Sequence, residues 1–146
     1  MNDYNGFSGS ERMIVQQILN ELQRRGIINW TDQPCSICQC PGGTIQAHLE
    51  NYSKIFEFKP VCVECHIKLH MRFRFPSYWI KHLVEVSNGY QCKPYPTMRD
   101  YFKSKKGSFN NLDYEGFDPT TLGNEWFHKL SMEPINLNKF KFYNNG

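Results

Sequence analysis

Two closely spaced cysteine pairs constrain the fold of this 146-residue chain more than any other feature. The pairs are Cys35-x-x-Cys38 and Cys62-x-x-Cys65, with 23 residues between them. Four thiolates arranged in two such pairs can surround one Zn²⁺ tetrahedrally. Because the N-terminus lacks the layout of a secretory signal, we expect reduced thiols rather than disulfides. The sequence therefore predicts a structural Zn²⁺ bound by these four cysteines.

The composition provides for a modest core and excludes wholesale disorder. Hydrophobic residues make up 40% of the chain and charged residues 21%. The apolar stretches are only a few residues long, so no membrane partner is expected. Together with the absence of a signal pattern, this predicts a cytoplasmic location. The two remaining cysteines, Cys40 and Cys92, are expected to be packing residues.

The charge distribution divides the chain into two parts. Residues 1–106 carry 14 Lys and Arg against 9 Asp and Glu, whereas residues 107–146 carry 3 against 5. The first part is predicted to be the zinc domain, with its motif core at 35–73, and its basic balance would suit nucleic acid. An ordinary mixed-charge surface would give the same balance. The second part is an aromatic C-terminal extension that includes Trp126-Phe127 and Phe140 to Tyr143.

Hydrophobic periodicity and turn residues predict an α+β fold. Ser8 and Glu11 form the pattern of a capping box, which predicts a helix from there through Arg25, whereas residues 1–9 are expected to be mobile. One face of this helix is apolar and is expected to pack on the core: Ile14, Val15, Ile18, Leu19 and Leu22. Further along, the patterns predict strands over 44–48 and 56–59, helices over 65–73 and 78–86, and a linker or exposed loop over 103–108.

Three histidines are placed so that one site could contain them all. His66 and His70 are four residues apart on a predicted helix, so both imidazoles would share one face. His48 ends the strand that a two-stranded hairpin would bring beside them. Three imidazoles suit a divalent transition metal and leave a position open for water or phosphate. Exposed histidines, or histidines satisfied within the core, are the alternative.

Residues 35–72, which are 38 of the 146 residues, resemble the HNH or ββα-metal finger endonucleases, in particular the short phage and mobile-element members. The stretch from Gln46 to Lys54 is similar to that family's Ala-His-His-x-Asp-Tyr-x-Lys. The stretch from Val61 to His70 is similar to its Leu-Cys-x-x-Cys-His-x-x-Leu-His. The resemblance implies a small zinc-stabilised ββα finger with flanking helices and DNA as a partner. It also implies a second divalent metal at the catalytic residues His48, His66 and His70.

One substitution within the resembling segment bears on catalysis. The resemblance implies that His48 ligates the metal and that Leu49 stands at the position of the general base. Leucine cannot accept a proton, and losing a positioned base lowers a rate by about 10²–10⁴. In the shifted register His48 is the base, but Ala47 then occupies the ligand position and cannot bind metal. Hydrolysis is therefore expected to be impaired, unless Glu50 or a histidine from elsewhere acts as a substitute base.

Basic residues after the metal helix are the candidates for nucleic-acid contact. Arg72, Arg74 and Lys81 alternate with aromatic residues, a combination that can bind phosphates and stack on bases. The alternative is that the aromatic residues are core and the charges lie at a solvated surface.

Together these features predict a zinc-binding, nucleic-acid-associated protein that resembles HNH endonucleases and is catalytically impaired. It would act by binding DNA or a protein target, as a phage-encoded inhibitor or regulator in a bacterial host would. One alternative is an active metal-dependent DNA endonuclease or nickase. Another is a structural zinc module whose aromatic extension binds a protein partner.

Overall fold

The computed structural model of the chain describes residues 1–105, 112–132 and 135. Within them, four α-helices and one two-stranded sheet form a mixed α+β fold, which confirms the predicted class. In chain order the elements are α1 (Gly9–Arg24), β1 (Ile45–His48), β2 (Lys59–Cys62), α2 (Val63–Met71), α3 (Pro76–Ser87) and α4 (Met98–Ser104). None of the described helices combines the length and apolarity needed to span a bilayer. The predicted aromatic segment from Phe140 to Tyr143 lies outside the described residues.

The first helix begins where the sequence predicts. The Ser8 hydroxyl accepts a hydrogen bond from the Glu11 amide at 3.1 Å, so Ser8 caps α1. Val15 and Leu19 are buried one turn apart, but Ile14 is 48% exposed. The expectation that Ile14 packs on the core is wrong, because the buried stripe of α1 is narrow and Ile14 lies beside it rather than on it.

Residues 1–9 are not the mobile end that was expected. The amide and carbonyl groups of Tyr4 and Phe7 exchange hydrogen bonds at 2.9 Å, forming a two-residue hairpin turn. Asn5 and Gly6 both have positive φ, which matches the Asn-Gly preference of such turns. Tyr4 and Phe7 belong to the largest cluster of buried apolar residues, which we call the main core and which also contains Val15, Leu19, Ile45, Val61, Leu69 and Leu83. This end of the chain is therefore anchored.

The two strands pair antiparallel, with Ile45 opposite Cys62 and His48 opposite Lys59. β1 agrees with the predicted strand, whereas the prediction for β2 over 56–59 is wrong. Lys59 is paired with the last residue of β1, so residues before it have no partner strand. Residues Ile55–Glu57 form a 3₁₀ turn instead, and Phe56 is 65% exposed.

The central element is α2, which contacts both strands, α3 and α4. It begins two residues before the predicted start because Cys62 caps it: the Cys62 sulfur lies 3.5 Å from the Cys65 amide. Between β2 and α2 the chain therefore has no loop. The order strand, strand, helix places the end of β1 directly against α2.

The short helix α4 is a feature that the sequence analysis missed. Thr97 caps it by accepting from the Asp100 amide at 3.2 Å, and Tyr101 packs against Val63 and Ile67 of α2. The predicted linker over 103–108 is therefore wrong at its first two residues, which belong to α4. Residues 106–108 of that linker lie outside the described part of the chain.

The described part of the C-terminal extension packs on the rest of the chain. Phe127 is 4% exposed and belongs to the main core, while Trp126 and Leu130 are partly buried against it. The backbone oxygen of Ser131 accepts a hydrogen bond from the Arg72 guanidinium at 3.2 Å. The Trp126 ring stacks near His48, with ring centroids 6.2 Å apart, so the extension lies beside the end of β1.

Candidate metal centres

The four predicted cysteine ligands come together in one buried group, which we call the thiol cluster. Cys35 and Cys38 lie on the loop before β1, Cys62 ends β2, and Cys65 lies in the first turn of α2. All four are buried, their sulfur atoms lie within 4.8 Å of one another, and none forms a disulfide. The thiol cluster is therefore close enough to hold a metal ion.

The loop that presents the first pair is a tight turn tied to the sheet. Gln39 adopts a left-handed conformation with φ of 66°, and its amide donates to the Cys35 carbonyl at 2.9 Å. The Cys35 amide in turn donates to the Cys40 carbonyl at 3.1 Å. Ser36 donates from both its amide and its hydroxyl to the Pro60 carbonyl of β2. This arrangement holds the first cysteine pair against the strand that carries the second.

Two further side chains contact the thiol cluster. The sulfur of Cys65 lies 3.2 Å from His82 Nε2 and 3.5 Å from the sulfur of Cys92, and the Cys92 amide points to the Cys38 sulfur at 3.5 Å. Cys92, expected to be a packing residue, is buried, but with Cys65 and His82 it forms a further group whose ligand atoms lie close enough together to hold a metal ion. Burial lowers the pKa of His82 to about 3, so its imidazole is neutral. The sequence analysis missed His82, since a lone histidine on α3 carries no spacing signal.

The three predicted histidines also converge, and we call His48, His66 and His70 the histidine triad. Their ring centroids are 5.2 Å, 5.2 Å and 4.8 Å apart, and one ring nitrogen from each lies within 4.8 Å of the others. His48 comes from the last residue of β1, and the other two lie one turn apart on α2. The i, i+4 spacing and the strand pairing together produce the convergence.

Hydrogen bonds outside the histidine triad fix how two of the rings are protonated. The Gln46 side-chain oxygen lies 2.7 Å from His66 Nδ1, so Nδ1 donates and Nε2 keeps its lone pair, 3.1 Å from His70 Nε2. On His48, Nε2 donates to the Glu50 carboxylate at 2.5 Å. The His48 Nδ1 is buried and has no hydrogen-bond partner within the described part of the chain. A histidine that ligates a metal likewise donates a hydrogen bond from one ring nitrogen to a carboxylate or carbonyl and binds the metal with the other.

Burial keeps the histidine triad neutral. It lowers the pKa of His48, and it lowers the pKa of His66 well below the usual range. For His70, burial and the neighbouring imidazoles lower the pKa to about 2. Since only the neutral imidazole binds a metal ion, the histidine triad is already in the ligating form at neutral pH.

Glu50 is the centre of a polar network behind the histidine triad. One carboxylate oxygen accepts from His48 Nε2 and from the Tyr4 hydroxyl, and the other lies 2.6 Å from the Arg72 guanidinium. Burial raises the pKa of Glu50, but His48 and Arg72, with the Tyr4 hydroxyl, outweigh it and bring the value to about 2. Glu50, named as a substitute base, is thus an ionised carboxylate whose oxygens are already engaged.

Leu49, at the position that the resemblance assigns to the general base, is 2% exposed and belongs to the main core. Its side chain packs with apolar neighbours. A histidine at this position would have to be accommodated within that core, which disfavours simple restoration of a base.

The histidine triad borders a cavity of about 500 Å³. His66 and His70 line it, together with Arg12, Arg74 and mostly apolar side chains. His48, which is 1% exposed, lies behind them. A ligand would therefore reach the histidine triad from the side of α2.

The three predicted nucleic-acid-binding residues have different surroundings. Arg72 is fully buried, and its guanidinium contacts Glu50, Tyr4 and backbone carbonyls, so the expectation that it binds phosphate is corrected. Arg74 is exposed and lines the cavity beside the histidine triad. Lys81 is exposed and pairs with Glu85 at 3.7 Å, and it does not line that cavity.

Comparisons of the chain with protein-family models, with curated proteins and with solved structures find no significant match. No family membership follows from them. The function is therefore argued from the chemistry of the two clusters.

Proposed function

We propose that this chain is an HNH-like, zinc-stabilised protein that binds nucleic acid at the histidine triad with impaired hydrolytic activity. The observation that carries the proposal is the convergence of His48, His66 and His70 immediately beside the thiol cluster, with Cys65 and His66 consecutive on α2. A structural site and an open histidine site built on one strand-strand-helix unit are what the resemblance implies.

The chemistry of the thiol cluster supports zinc as its ion. Zinc binds thiolates at about 2.3 Å in a tetrahedron, which requires sulfur atoms about 3.8 Å apart. The sulfurs of Cys38 and Cys62 are 3.9 Å apart. Four buried thiols form a closed donor set, which is typical of structural rather than catalytic zinc. The sulfur of Cys65 also lies 3.2 Å from His82 Nε2, an outer contact of the kind that orients metal ligands.

The donor set of the histidine triad supports a second divalent cation. Three neutral imidazoles leave coordination positions for water or phosphate, and the cavity gives access to them. When bound, such a cation would polarise a phosphate oxygen. Glu50 and Gln46 would orient His48 and His66, and the unpartnered Nδ1 of His48 is the atom left to face a ligand.

The neighbours of the histidine triad support binding without efficient turnover. A general base must be free to take a proton from water. Leu49 lies in the core, and the Glu50 oxygens are engaged by Tyr4, His48 and Arg72. The active-endonuclease alternative retains one argument, because the cavity gives water access to His66 and His70.

The first prediction concerns the second metal. The zinc-loaded protein, titrated with Ni²⁺ in a calorimeter, should bind one additional equivalent. His70→Ala should weaken that binding by more than about 10-fold, since the loss of even an outer hydrogen-bond partner has an effect of that size. His128→Ala is the matched control, because His128 belongs to neither cluster. Equal Ni²⁺ binding by both variants would contradict the proposed site.

The same proteins, mixed with plasmid and duplex DNA at low salt, separate the functional alternatives. Binding with only background nicking in Mg²⁺, Mn²⁺ or Ni²⁺ is the expected result. Robust nicking by the wild type that disappears in His48→Ala would establish the endonuclease alternative. If the protein neither binds nor cleaves DNA, the proposed function is wrong and a protein partner becomes the working hypothesis.

A further inference from the structure

The cavity beside the histidine triad differs from a surface that cradles a duplex. It encloses about 500 Å³, a volume within the range of small-molecule sites, and its walls are largely apolar. Phe75 and Phe102 supply two aromatic rings, and Met71 and Met98 supply sulfur-containing side chains. A duplex held only by its backbone would need none of these groups, since backbone contacts come from charged and polar side chains.

Two of these apolar residues are exposed on the short helix α4. Phe102 is 47% exposed and Met98 is 37% exposed. Successive bases of single strands stack on such aromatic side chains, because every base has a π-face to offer. The exposed ring of Phe102 is therefore suited to an unpaired base.

The charge of the lining points to a phosphate on the same ligand. Among the described lining residues there are two arginines and two histidines but no carboxylate. Arg12 donates to the Tyr52 hydroxyl at 3.1 Å, which holds its guanidinium at the wall, and Arg74 is exposed. The lining thus combines cationic and imidazole groups with apolar and aromatic side chains, and these suit the phosphate and the base of a nucleotide.

We infer that this cavity takes an unpaired nucleotide, with its base against Phe102 and Met98 and its phosphate facing Arg12, Arg74, His66 and His70. A base inside an intact duplex is stacked on both faces and can enter such a pocket only after unpairing. The protein therefore prefers single-stranded or flapped DNA to intact duplex. This inference rests on the proposed function and names the form of nucleic acid that the site takes.

The test is fluorescence anisotropy with the full zinc-loaded chain and two labelled probes. One probe is an oligothymidine strand, and the other is a blunt hairpin duplex of similar length. The strand should bind at least about 10-fold more tightly than the duplex. Phe102→Ala should weaken binding of the strand by about 10-fold, which is the typical effect of removing one stacking ring. Phe102→Leu, which keeps an apolar side chain without a ring, should weaken it to a similar extent.

Matched variants distinguish the cavity from the general surface. Phe56→Ala removes a ring that is 65% exposed and does not line the cavity, so it should leave strand binding unchanged. Arg74→Gln should weaken strand binding and lower its salt slope by about one, because one phosphate contact is lost. Arg25 does not line the cavity, so Arg25→Gln should leave the strand affinity and its salt slope unchanged.

Three outcomes would overturn the inference while leaving the proposed function standing. One is equal affinity for the strand and the duplex, and another is unchanged strand binding in Phe102→Ala. Loss of strand binding in Phe56→Ala equal to that in Phe102→Ala would also overturn it. If neither probe binds, the proposed function itself fails.

Discussion

At the scale of single residues, the ion pair between Glu50 and Arg72 holds the N-terminal hairpin, β1 and α2 together. Arg72 is 0% exposed, and it also donates to the Tyr4 hydroxyl at 2.8 Å and to the Leu69 carbonyl at 3.1 Å. Asn5 donates to the Glu50 backbone and side chain. A buried charge is tolerated only when such partners are present, so this network depends on each of its members.

We expect Arg72→Gln to lower the free energy of unfolding by about 3 kcal/mol. The substitution leaves the Glu50 carboxylate without its cation, and breaking a buried pair costs about 3–5 kcal/mol; the lower end applies because Glu50 is 17% exposed. Urea denaturation followed by circular dichroism measures the loss. Arg74→Gln is the control, because Arg74 is exposed and its loss should change stability by less than about 0.5 kcal/mol. Similar stability in the two variants would contradict the assigned role of Arg72.

The ligand side chains could be predicted from the sequence, but the residues that orient them could not. Each cysteine pair and the His66–His70 spacing is a local pattern that lies within five consecutive residues. Glu50 meets His48 within the same turn, yet its contacts with Tyr4 and Arg72 join positions 46 and 22 residues away. Such pairings depend on how the elements pack. For the same reason Arg72, which the sequence places in a basic and aromatic stretch, is found buried.

At the scale of elements, α2 carries one cysteine of the thiol cluster and two histidines of the histidine triad on nine residues. A helix of this length is only marginally stable by itself in water. Its first turn is held by the Cys62 cap and by the sulfur of Cys65 within the thiol cluster. The position of the histidine triad therefore depends on the cysteines that precede it.

Cys62→Ser should abolish stoichiometric zinc binding. A serine hydroxyl still caps α2, so the loss would arise from the missing thiolate rather than from the cap. The wild type should contain about one tightly bound Zn²⁺ by atomic emission, and chelation should unfold it.

Cys40→Ser provides the control for this experiment. Cys40 is buried but lies outside the thiol cluster, so the variant should keep one equivalent of zinc. A full equivalent in Cys62→Ser, or an unchanged circular dichroism spectrum after chelation of the wild type, would refute the assigned zinc site.

Elements that a capping or turn pattern marks in the sequence could be predicted. The limits of a strand that depend on its pairing with another strand could not. The start of α1 and the position of β1 agree with the sequence pattern, since a cap and a turn define them. The limits of β2 depend on its register with β1. The alternation of apolar and polar residues around Phe56 and Phe58 does not reveal that register. The missed α4 has a detectable capping pattern at Thr97 and Asp100, but its seven residues show too little periodicity.

At the scale of the whole molecule, the described part of the C-terminal extension contributes to the same core as residues 1–105. Phe127 is buried there, and the Trp126 ring stacks near His48 with centroids 6.2 Å apart. The charge difference between the two parts of the sequence therefore does not mark separate hydrophobic cores within the described residues.

Phe127→Ala should lower the free energy of unfolding by about 3–5 kcal/mol, because it leaves a cavity in the main core. Phe117→Ala removes the same side chain from a position that is 39% exposed and should have a much smaller effect. Thermal denaturation of the two zinc-loaded variants makes the comparison. Equal melting temperatures for Phe127→Ala and Phe117→Ala would show that the extension does not contribute to the core.

Because Cys65 and His66 are adjacent on α2, ions bound at the two clusters would be thermodynamically coupled. An ion held by the thiol cluster restricts the backbone of the first turn of α2, so His66 and His70 lose less conformational entropy when they bind a second cation. By reciprocity, each ion raises the affinity for the other by the same factor. If zinc fills the thiol cluster and a second cation fills the histidine triad, a shortage of zinc would lower the affinity of the histidine triad for that cation, even where the cation is abundant.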